Sequence, residues 1–176
     1  TRTLRSDAVY EQGLLRGYVE TVEQQGSGEG EELQISTRIE RFDMQYDPFM
    51  RLASYEQRMQ GSGDPDRLRQ SSWQAGGYDH NGWVLGYREE LHETGPGLDL
   101  ITVTERSGTV YSSDGRIVRY AEDITTSATA DKLLHRVREN IVYDALGRTD
   151  GYRETTTERT VDGTIERSNT VITVDT

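Results

Sequence analysis

The tyrosines of this 176-residue chain fall into five pairs that recur with a nearly constant period. The pairs are Tyr10 and Tyr18, Tyr46 and Tyr55, Tyr78 and Tyr87, Tyr111 and Tyr120, and Tyr143 and Tyr152. The members of a pair are eight residues apart once and nine apart four times, and successive pairs begin 36, 32, 33 and 32 residues apart. Self-similarity at a fixed period of roughly 20–50 residues is the signature of a repeat architecture. We therefore interpret the chain as one array of five units, approximately 1–36, 37–68, 69–101, 102–133 and 134–176.

The segment between the two tyrosines of a pair has the composition of a tight turn. The fifth pair encloses Asp144, Gly147 and Arg148, with Asp at the first and Gly at the fourth turn position, and Gly82 and Gly115 take that Gly position in units three and four. This order predicts a type I turn followed by a Gly bulge. A tight two-residue turn is the rival geometry, but it would place Pro48 inside a paired strand.

The predicted turn places an acidic side chain opposite a basic one. The two predicted cross-strand pairs are Asp47 with Arg51 and Asp144 with Arg148. An exposed pair of this kind is worth only about 0.2–1 kcal/mol, so it sets register more than stability.

The composition predicts an all-β fold, an antiparallel meander of about five two-strand repeats in a curling or twisted sheet. Tyr, Thr, Val and Ile favour strands, whereas ankyrin or tetratricopeptide helices need Ala and Leu at helical spacing. The one helix-like stretch, 130–139, falls in a strand by the repeat register. The other sheet edge has variable connections at 26–30, 61–65, 95–97 and 162–163, and a less obvious one near 127–131. A mean hydropathy of −0.80 makes a thick core doubtful and makes disorder the first alternative.

Charge and cysteine content exclude several classes of protein. A net charge of −11 without a basic cluster argues against nucleic acid and anionic membranes as partners. The cations are 19 Arg and the single Lys132, and Arg is suited to planar pairing with carboxylates. The absence of Cys excludes disulfides and thiolate metal sites. No apolar run is long enough for membrane insertion, and we expect any export signal to lie outside this sequence.

The turn sequence resembles a known pattern. Tyr143-Asp144-Ala145-Leu146-Gly147-Arg148 is similar to the YD repeat of RHS and teneurin-like proteins. The resemblance implies a segment of a large bacterial surface or secreted protein, built from β-hairpins that wind into a long sheet, and it implies no catalytic residues. We also expect the chain to be part of a longer array, because 170–175 repeats the approach to the fifth pair with Val174 at the tyrosine position.

The aromatic residues of unit three are the one candidate ligand face. Trp73 and Trp83 lie near Tyr78 and Tyr87, and a flat aromatic strip suits a carbohydrate, although regular aromatics usually serve cross-strand packing. His80, His92 and His135 are too scattered for a metal site. Calcium at the acidic stretches 28–32 and 64–66 is the only cofactor that we consider, although no 12-residue calcium loop is present.

No nucleophile with a nearby base and no phosphate-binding glycine loop marks an enzyme. The sequence therefore predicts a non-enzymatic structural repeat that acts as a stalk, shell wall or self-associating fibre. Its expected partners are further copies of itself or neighbouring repeats. The alternative is an adhesin module, centred on the third repeat, that binds a glycan or a cell-surface protein.

Overall fold

The fold is an antiparallel meander, as the sequence predicts. The computed structural model describes residues 1–28, 31–160 and 164–174. Eleven strands follow one another in chain order within one sheet: β1 (Arg2–Glu11), β2 (Leu14–Gly28), β3 (Glu31–Tyr46), β4 (Leu52–Gly61), β5 (Asp64–Tyr78), β6 (Val84–Gly95), β7 (Leu98–Tyr111), β8 (Ile117–Thr126), β9 (Lys132–Tyr143), β10 (Thr149–Thr160) and β11 (Ile165–Val174). The stretch 130–139 lies mainly in β9, so the repeat register correctly assigned it to a strand.

The chain divides into two compact units by its internal contacts. One unit comprises residues 1–74 and 90–101, and the other comprises 75–89 and 102–176. The buried hydrophobic residues of the described chain are few: Tyr18, Val19 and Met44 in the first unit, and Tyr120 and Ile141 in the second. Neither unit thus relies on a thick apolar core, in line with the low hydropathy.

The predicted type I turn with a bulge joins the tyrosine strands in repeats two to five. In repeat two, Met50 N donates to Asp47 O at 3.0 Å and Asp47 N donates to Arg51 O at 2.8 Å. The fourth turn position has a positive φ in each case: Met50 63°, Gly82 84°, Gly115 83° and Gly147 80°. In repeat one, Gln12 and Gly13 form a two-residue turn with φ values of 51° and 80°, which matches the shorter Tyr10 to Tyr18 spacing.

A β-bulge precedes the first tyrosine in four repeats, and the sequence interpretation missed it. The bulged residues Asp7, Asp43, Gly108 and Asn140 lie three positions before that tyrosine and have φ values of 51–60°. Asp, Asn and Gly are the residues that tolerate this left-handed conformation. Pairing skips two residues at each bulge, and the second of them is buried in three cases: Met44, Thr109 and Ile141.

Glycine beside the second tyrosine allows a close approach of two backbones. A Cβ at Gly17 would lie 2.8 Å from Arg41 O, and a Cβ at Gly86 would clash with Arg106 O. Any side chain at these two positions would therefore force the neighbouring strand away.

Two details of the opposite edge and of the last strand differ from the sequence interpretation. Residues 26–28, expected in a loop, continue β2, and residues 29–30 and 161–163 lie outside the described chain. In β11 the backbone pairs Tyr152 with Thr173, as Arg41 pairs with Tyr18 and Arg138 with Tyr120. Residue 173 therefore occupies the arginine position of the repeat, five residues before a tyrosine position. The assignment of Val174 to the tyrosine position was wrong.

Candidate functional site

An arginine stands five residues before the first tyrosine in four of the five repeats, and this pattern organises one sheet face. The residues are Arg5, Arg41, Arg106 and Arg138, with Trp73 at the same position of repeat three. In repeats one, two and four the second tyrosine points to the same face as this position of the next strand, because the two residues pair directly. We call the resulting row of side chains the inner ladder.

In the first unit the inner ladder consists of Arg5, Tyr18, Arg41, Tyr55 and Trp73. The guanidinium carbon of Arg5 lies 4.2 Å from the Tyr18 ring centre, and that of Arg41 lies 5.6 Å from Tyr18 and 4.1 Å from Tyr55. Tyr55 and Trp73 stack with ring centres 5.3 Å apart and planes 17° from parallel. The rings thus stand beside one another across the strands, with their faces turned to neighbouring side chains.

The second unit repeats the arrangement with Tyr87, Arg106, Tyr120, Arg138 and Tyr152. Arg106 lies 4.9 Å from the Tyr87 ring centre and 4.1 Å from that of Tyr120. Arg138 lies 5.8 Å from Tyr120 and 4.1 Å from Tyr152. Burial raises the pKa of the Tyr87 and Tyr120 hydroxyls, so both rings stay neutral partners for the guanidinium groups.

Each ladder arginine also has an oxygen acceptor two residues beyond a second tyrosine. Arg5 pairs with Glu20 at 3.1 Å, Arg41 with Gln57 at 2.7 Å, Arg106 with Glu122 at 2.7 Å and Arg138 with Glu154 at 2.6 Å. Glu122 is only 6 % exposed and also lies 3.6 Å from Arg136. Partial burial is the largest single effect on the Arg138 pKa and lowers it, but the hydrogen bond to Glu154 and the electrostatic interactions with Tyr120, Glu154 and Tyr152 together raise the pKa above its usual value.

The turn edge of the second unit has a ladder of its own, which we call the edge ladder. It consists of Trp83, Tyr111, Arg116 and Tyr143, so the residue after each turn packs on the first tyrosine of the next repeat. Trp83 lies 5.1 Å from Tyr111 between ring centres, and the Arg116 guanidinium carbon lies 5.4 Å from the Tyr143 ring centre.

The first tyrosine of a repeat also hydrogen-bonds to the backbone of the preceding repeat. Tyr111 Oη donates to Val84 O at 2.7 Å, and Tyr143 Oη donates to Ile117 O at 2.8 Å. In the first unit, Tyr46 Oη donates to Leu15 O at 2.8 Å. Each bond spans 26–31 residues of sequence, so it joins one repeat to the next rather than closing a hairpin.

The predicted turn pairs lie where the sequence placed them. Arg51 Nε donates to Asp47 Oδ2 at 2.7 Å, and Arg148 Nε donates to Asp144 Oδ2 at 2.7 Å. Asp144 Oδ1 also accepts hydrogen bonds from the backbone N–H groups of Leu146 and Arg148. These bonds, first that from the Arg148 backbone and then that from its side chain, lower the Asp144 pKa.

The two tryptophans take arginine positions of the repeat. Trp73 replaces the inner-ladder arginine, and Trp83 occupies the position of Arg51, Arg116 and Arg148 after the turn. A Cβ added to Gly115 would lie 2.9 Å from Trp83 Cζ2, so the indole packs closely on the next turn. The aromatic residues concentrated in unit three are therefore ladder positions, a relationship that alignment on arginine as well as tyrosine would have found.

The histidines and acidic stretches form other contacts. His92 Nε2 lies 2.6 Å from Asp99 Oδ1, and His135 Nδ1 lies 2.6 Å from Asp123 Oδ1. Asp64 and Asp66 belong to β5. Within residues 1–28, 31–160 and 164–174, no three His, Asp or Glu side chains form a group that could hold a metal ion. No helix in this part of the chain has the length and apolar character needed to cross a membrane.

The inner ladder combines hydrogen bonding within a repeat with stacking both within and between repeats, and the edge ladder stacks one repeat on the next. Guanidinium groups supply both the stacking partner of a tyrosine and the hydrogen-bond partner of a carboxylate, a combination that a lysine cannot supply.

No protein-family model, no curated protein sequence and no solved structure matches this chain.

Proposed function

We propose that the chain is a non-enzymatic structural β-repeat, which serves as a stalk, a shell wall or a self-associating fibre of an extracellular bacterial protein. The observation that carries the proposal is the use of the repeated side chains. Arginines at a fixed repeat position bind a tyrosine and a glutamate or glutamine of their own hairpin and also reach the preceding repeat, as Arg138 does with Tyr152 and Glu154 of its own repeat and with Tyr120 of the one before.

Such a distribution of contacts suits a repeat scaffold. When each repeat contacts only its neighbours, stability is approximately a sum of repeat and junction terms, and length can change without loss of the fold. The small number of buried hydrophobic residues in the described chain favours the same interpretation, because a repeat scaffold does not depend on one central core.

The extracellular location and the self-association are further parts of the proposal. The resemblance of the Tyr143–Arg148 turn to the YD repeat supports a bacterial surface or secreted protein. Every residue of β1 is exposed, and the outer edge of a terminal strand carries backbone groups that can pair with another copy. Further copies of the chain are therefore the partners that we expect.

An adhesin centred on repeat three is less well supported. A sugar stacks on an open ring face. Trp73 is instead stacked on the Tyr55 ring, which the Arg41 guanidinium group also covers, and Trp83 packs on Gly115. A glycan screen on wild type and on Trp83→Ala and Tyr87→Ala tests this alternative. Glycan binding by wild type that either variant abolishes would favour the adhesin over a purely structural role.

Deletion of one repeat tests the scaffold directly. Removing residues 102–133 places Arg138 where Arg106 stood and Tyr152 where Tyr120 stood, so the ladders keep their register. Removing residues 102–132 instead shifts the following strand by one residue and turns its side chains to the opposite face. We expect the first variant to retain the β-sheet circular dichroism signal and cooperative unfolding. The second variant should lose part of the β-sheet signal and unfold less cooperatively, because its strands after the deletion no longer pair correctly.

Equal disruption by the two deletions would contradict the proposal, since a modular array should distinguish them. Sedimentation velocity and electron microscopy of the wild-type chain test the fibre. Compact monomers at every concentration would count against self-association.

A further inference from the structure

A recess in the inner-ladder face of the first unit has features that the other repeats lack. It has a volume of about 130 Å³ and is lined by Thr37, Met59, Gly61, Asp64, Arg67 and Arg69. The lining residues come from β3, β4 and β5, far along the strands from the tyrosine turns.

Gly61 creates the space. It stands six residues after the second tyrosine of its repeat, where the other repeats have Gln24, Glu93, Thr126 and Glu158. Gly61 pairs with Thr37, and a Cβ built on it would meet nothing closer than Thr37 Oγ1, at 3.8 Å. A side chain at this position would therefore enter the recess without a backbone clash.

The recess also has an additional cation. Arg67 Nη2 donates to Glu93 Oε1 at 2.7 Å, and Arg69 Nε donates to the same oxygen at 2.8 Å. The last repeat has the simpler pair of Lys132 with Glu158 at 2.8 Å, and its counterpart of Arg69 is Leu134. Arg69 is thus an addition to the repeat pattern.

The two guanidinium groups share one carboxylate oxygen and have donors to spare. A guanidinium offers five N–H donors, and Arg67 Nε is buried with no hydrogen-bond partner in the described chain. Although partial desolvation opposes ionisation of Glu93, hydrogen bonds from Arg69 and then Arg67 lower its pKa, so Glu93 remains a single negative charge between two positive ones. Arg67 Nε itself is enclosed, but the Arg67 and Arg69 side chains are 35 % and 44 % exposed, so their remaining guanidinium donors are open to an anionic oxygen.

We propose that this recess binds a small monocarboxylate, with its oxygens on the Arg67 and Arg69 guanidinium groups and its carbon chain against Met59. Thr37 offers a hydroxyl donor to the same ligand. Asp64 also lines the recess, and its negative charge favours a monocarboxylate over a dianionic phosphate. The recess lies outside both ladders, so ligand binding is a property added to the scaffold.

Titration of the ¹⁵N-labelled chain with sodium acetate tests this site, with sodium chloride keeping the ionic strength constant. We expect saturable shifts of the Thr37, Gly61 and Arg69 amide signals, with a dissociation constant in the millimolar range, on the order of that for a ligand of four heavy atoms. Arg69→Gln should weaken binding by about tenfold, because one charge-assisted hydrogen bond is lost.

Two further variants separate the site from general charge effects. Gly61→Gln fills the recess with the residue that repeat one has at Gln24, and it should abolish the shifts while leaving the charge unchanged. Arg153→Gln removes an equal charge from an exposed position and should leave acetate binding as in wild type. Shifts that do not saturate, or shifts that persist unchanged in Gly61→Gln with its fold intact, would overturn the proposal.

Discussion

The guanidinium carbon of Arg138 lies 4.1 Å from the centre of the Tyr152 ring, while Nη2 of the same group donates to Glu154 at 2.6 Å. One side chain of β9 therefore holds two side chains of β10, by stacking on one and hydrogen bonding to the other. The same relationship joins Arg106 to Tyr120 and Glu122. It is the smallest unit from which the inner ladder is built.

Replacing the central arginine of this unit should weaken the fold substantially. Arg138→Ala removes a cation–π contact and a charge-assisted hydrogen bond, and we expect a loss of about 2–3 kcal/mol in the free energy of unfolding. Arg138→Lys keeps the charge but not the planar group, so its loss should be smaller than that of alanine but clearly measurable. Urea denaturation measures both values.

The matched control is Arg153→Ala on the neighbouring strand. Arg153 is about half exposed and lies 3.7 Å from Glu139, so its loss should cost less than about 0.5 kcal/mol. Equal effects at 138 and 153 would show that the ladder adds nothing beyond an ordinary surface ion pair.

The buried carboxylate of the inner ladder is a second sensitive position. Glu122→Ala leaves Arg106 and Arg136 without their shared acceptor, and we expect a loss of about 3 kcal/mol. Glu122→Gln should cost less, because Gln57 already serves as the acceptor for Arg41 in repeat two. Chemical denaturation should show that wild type is the most stable, Glu122→Gln is less stable and Glu122→Ala is the least stable.

Glu105 supplies the comparison for that experiment. Its carboxylate is 61 % exposed and lies 3.4 Å from Arg88. Glu105→Ala should change stability by less than about 0.5 kcal/mol. If Glu122→Ala proved as mild as Glu105→Ala, burial of the Glu122 charge would have no energetic consequence.

The repeat and its turns could be predicted from sequence because their determinants are local. Asp144 and Gly147 are three residues apart, at the first and fourth positions of one turn, and the conformation that each position requires limits the residue types allowed there. The strand assignment of 130–139 succeeded for a related reason, since the period alone placed it in a strand.

The inner ladder was missed although its signal is present in the sequence. Arg138 and Glu154 lie 16 residues apart, as do Arg106 and Glu122, and this spacing becomes visible only after the tyrosine register is known. The bulge at Asn140 was missed because its pairing skip depends on the neighbouring strand. Its Asp, Asn or Gly preference is nevertheless a usable signal.

The recess over Gly61 could not be predicted from the sequence. It requires Gly61 of β4 to lie beside Arg67 and Arg69 of β5, and the pairing of these two strands shifts register between Gln60 and Gly61. Register at that end of the strands is set by the loops and by the cross-strand pairs, and no fixed motif reports it.

The tyrosine hydrogen bonds between repeats should each contribute modestly. Tyr143→Phe removes the bond from Oη to Ile117 O and keeps the ring on Arg116, so we expect a loss of about 1 kcal/mol. Tyr10→Phe is the control, because Tyr10 is 66 % exposed, and it should be neutral. Thermal unfolding of the two variants and wild type makes the comparison, and a neutral Tyr143→Phe would exclude an energetic role for this bond.

The left-handed turn position predicts opposite effects in two repeats. Gly147→Ala places a Cβ at φ 80° and should destabilise the chain by about 1 kcal/mol. Met50 already has a positive φ of 63° with a Cβ, so Met50→Gly should be neutral or stabilising by up to about 1 kcal/mol. Denaturation midpoints test the pair, and a marked loss in Met50→Gly would show that the exposed Met50 side chain stabilises the turn.

The Asp144 carboxylate should make part of the stability depend on pH. Its pKa is lowered below the usual 3.8 by hydrogen bonds from the Arg148 backbone, the Arg148 side chain and the Leu146 backbone. The stabilisation is therefore fully present above the unfolded-state pKa, and it is lost as the pH falls through the lower pKa of the folded state. Asp144→Asn should be less stable than wild type at neutral pH, and the difference should shrink in acid.

Asp144→Ser is the geometric control for that measurement. Ser112 occupies the same turn position in repeat four, and its hydroxyl accepts a hydrogen bond from Arg116 N at 3.2 Å. The serine variant keeps an oxygen acceptor without a titrating group, so its stability relative to Asp144→Asn should stay constant across the acid range. Urea midpoints of the three proteins between neutral pH and strong acid give the comparison. A wild-type advantage over both variants that persists unchanged in acid would mean that the Asp144 charge does not stabilise the turn.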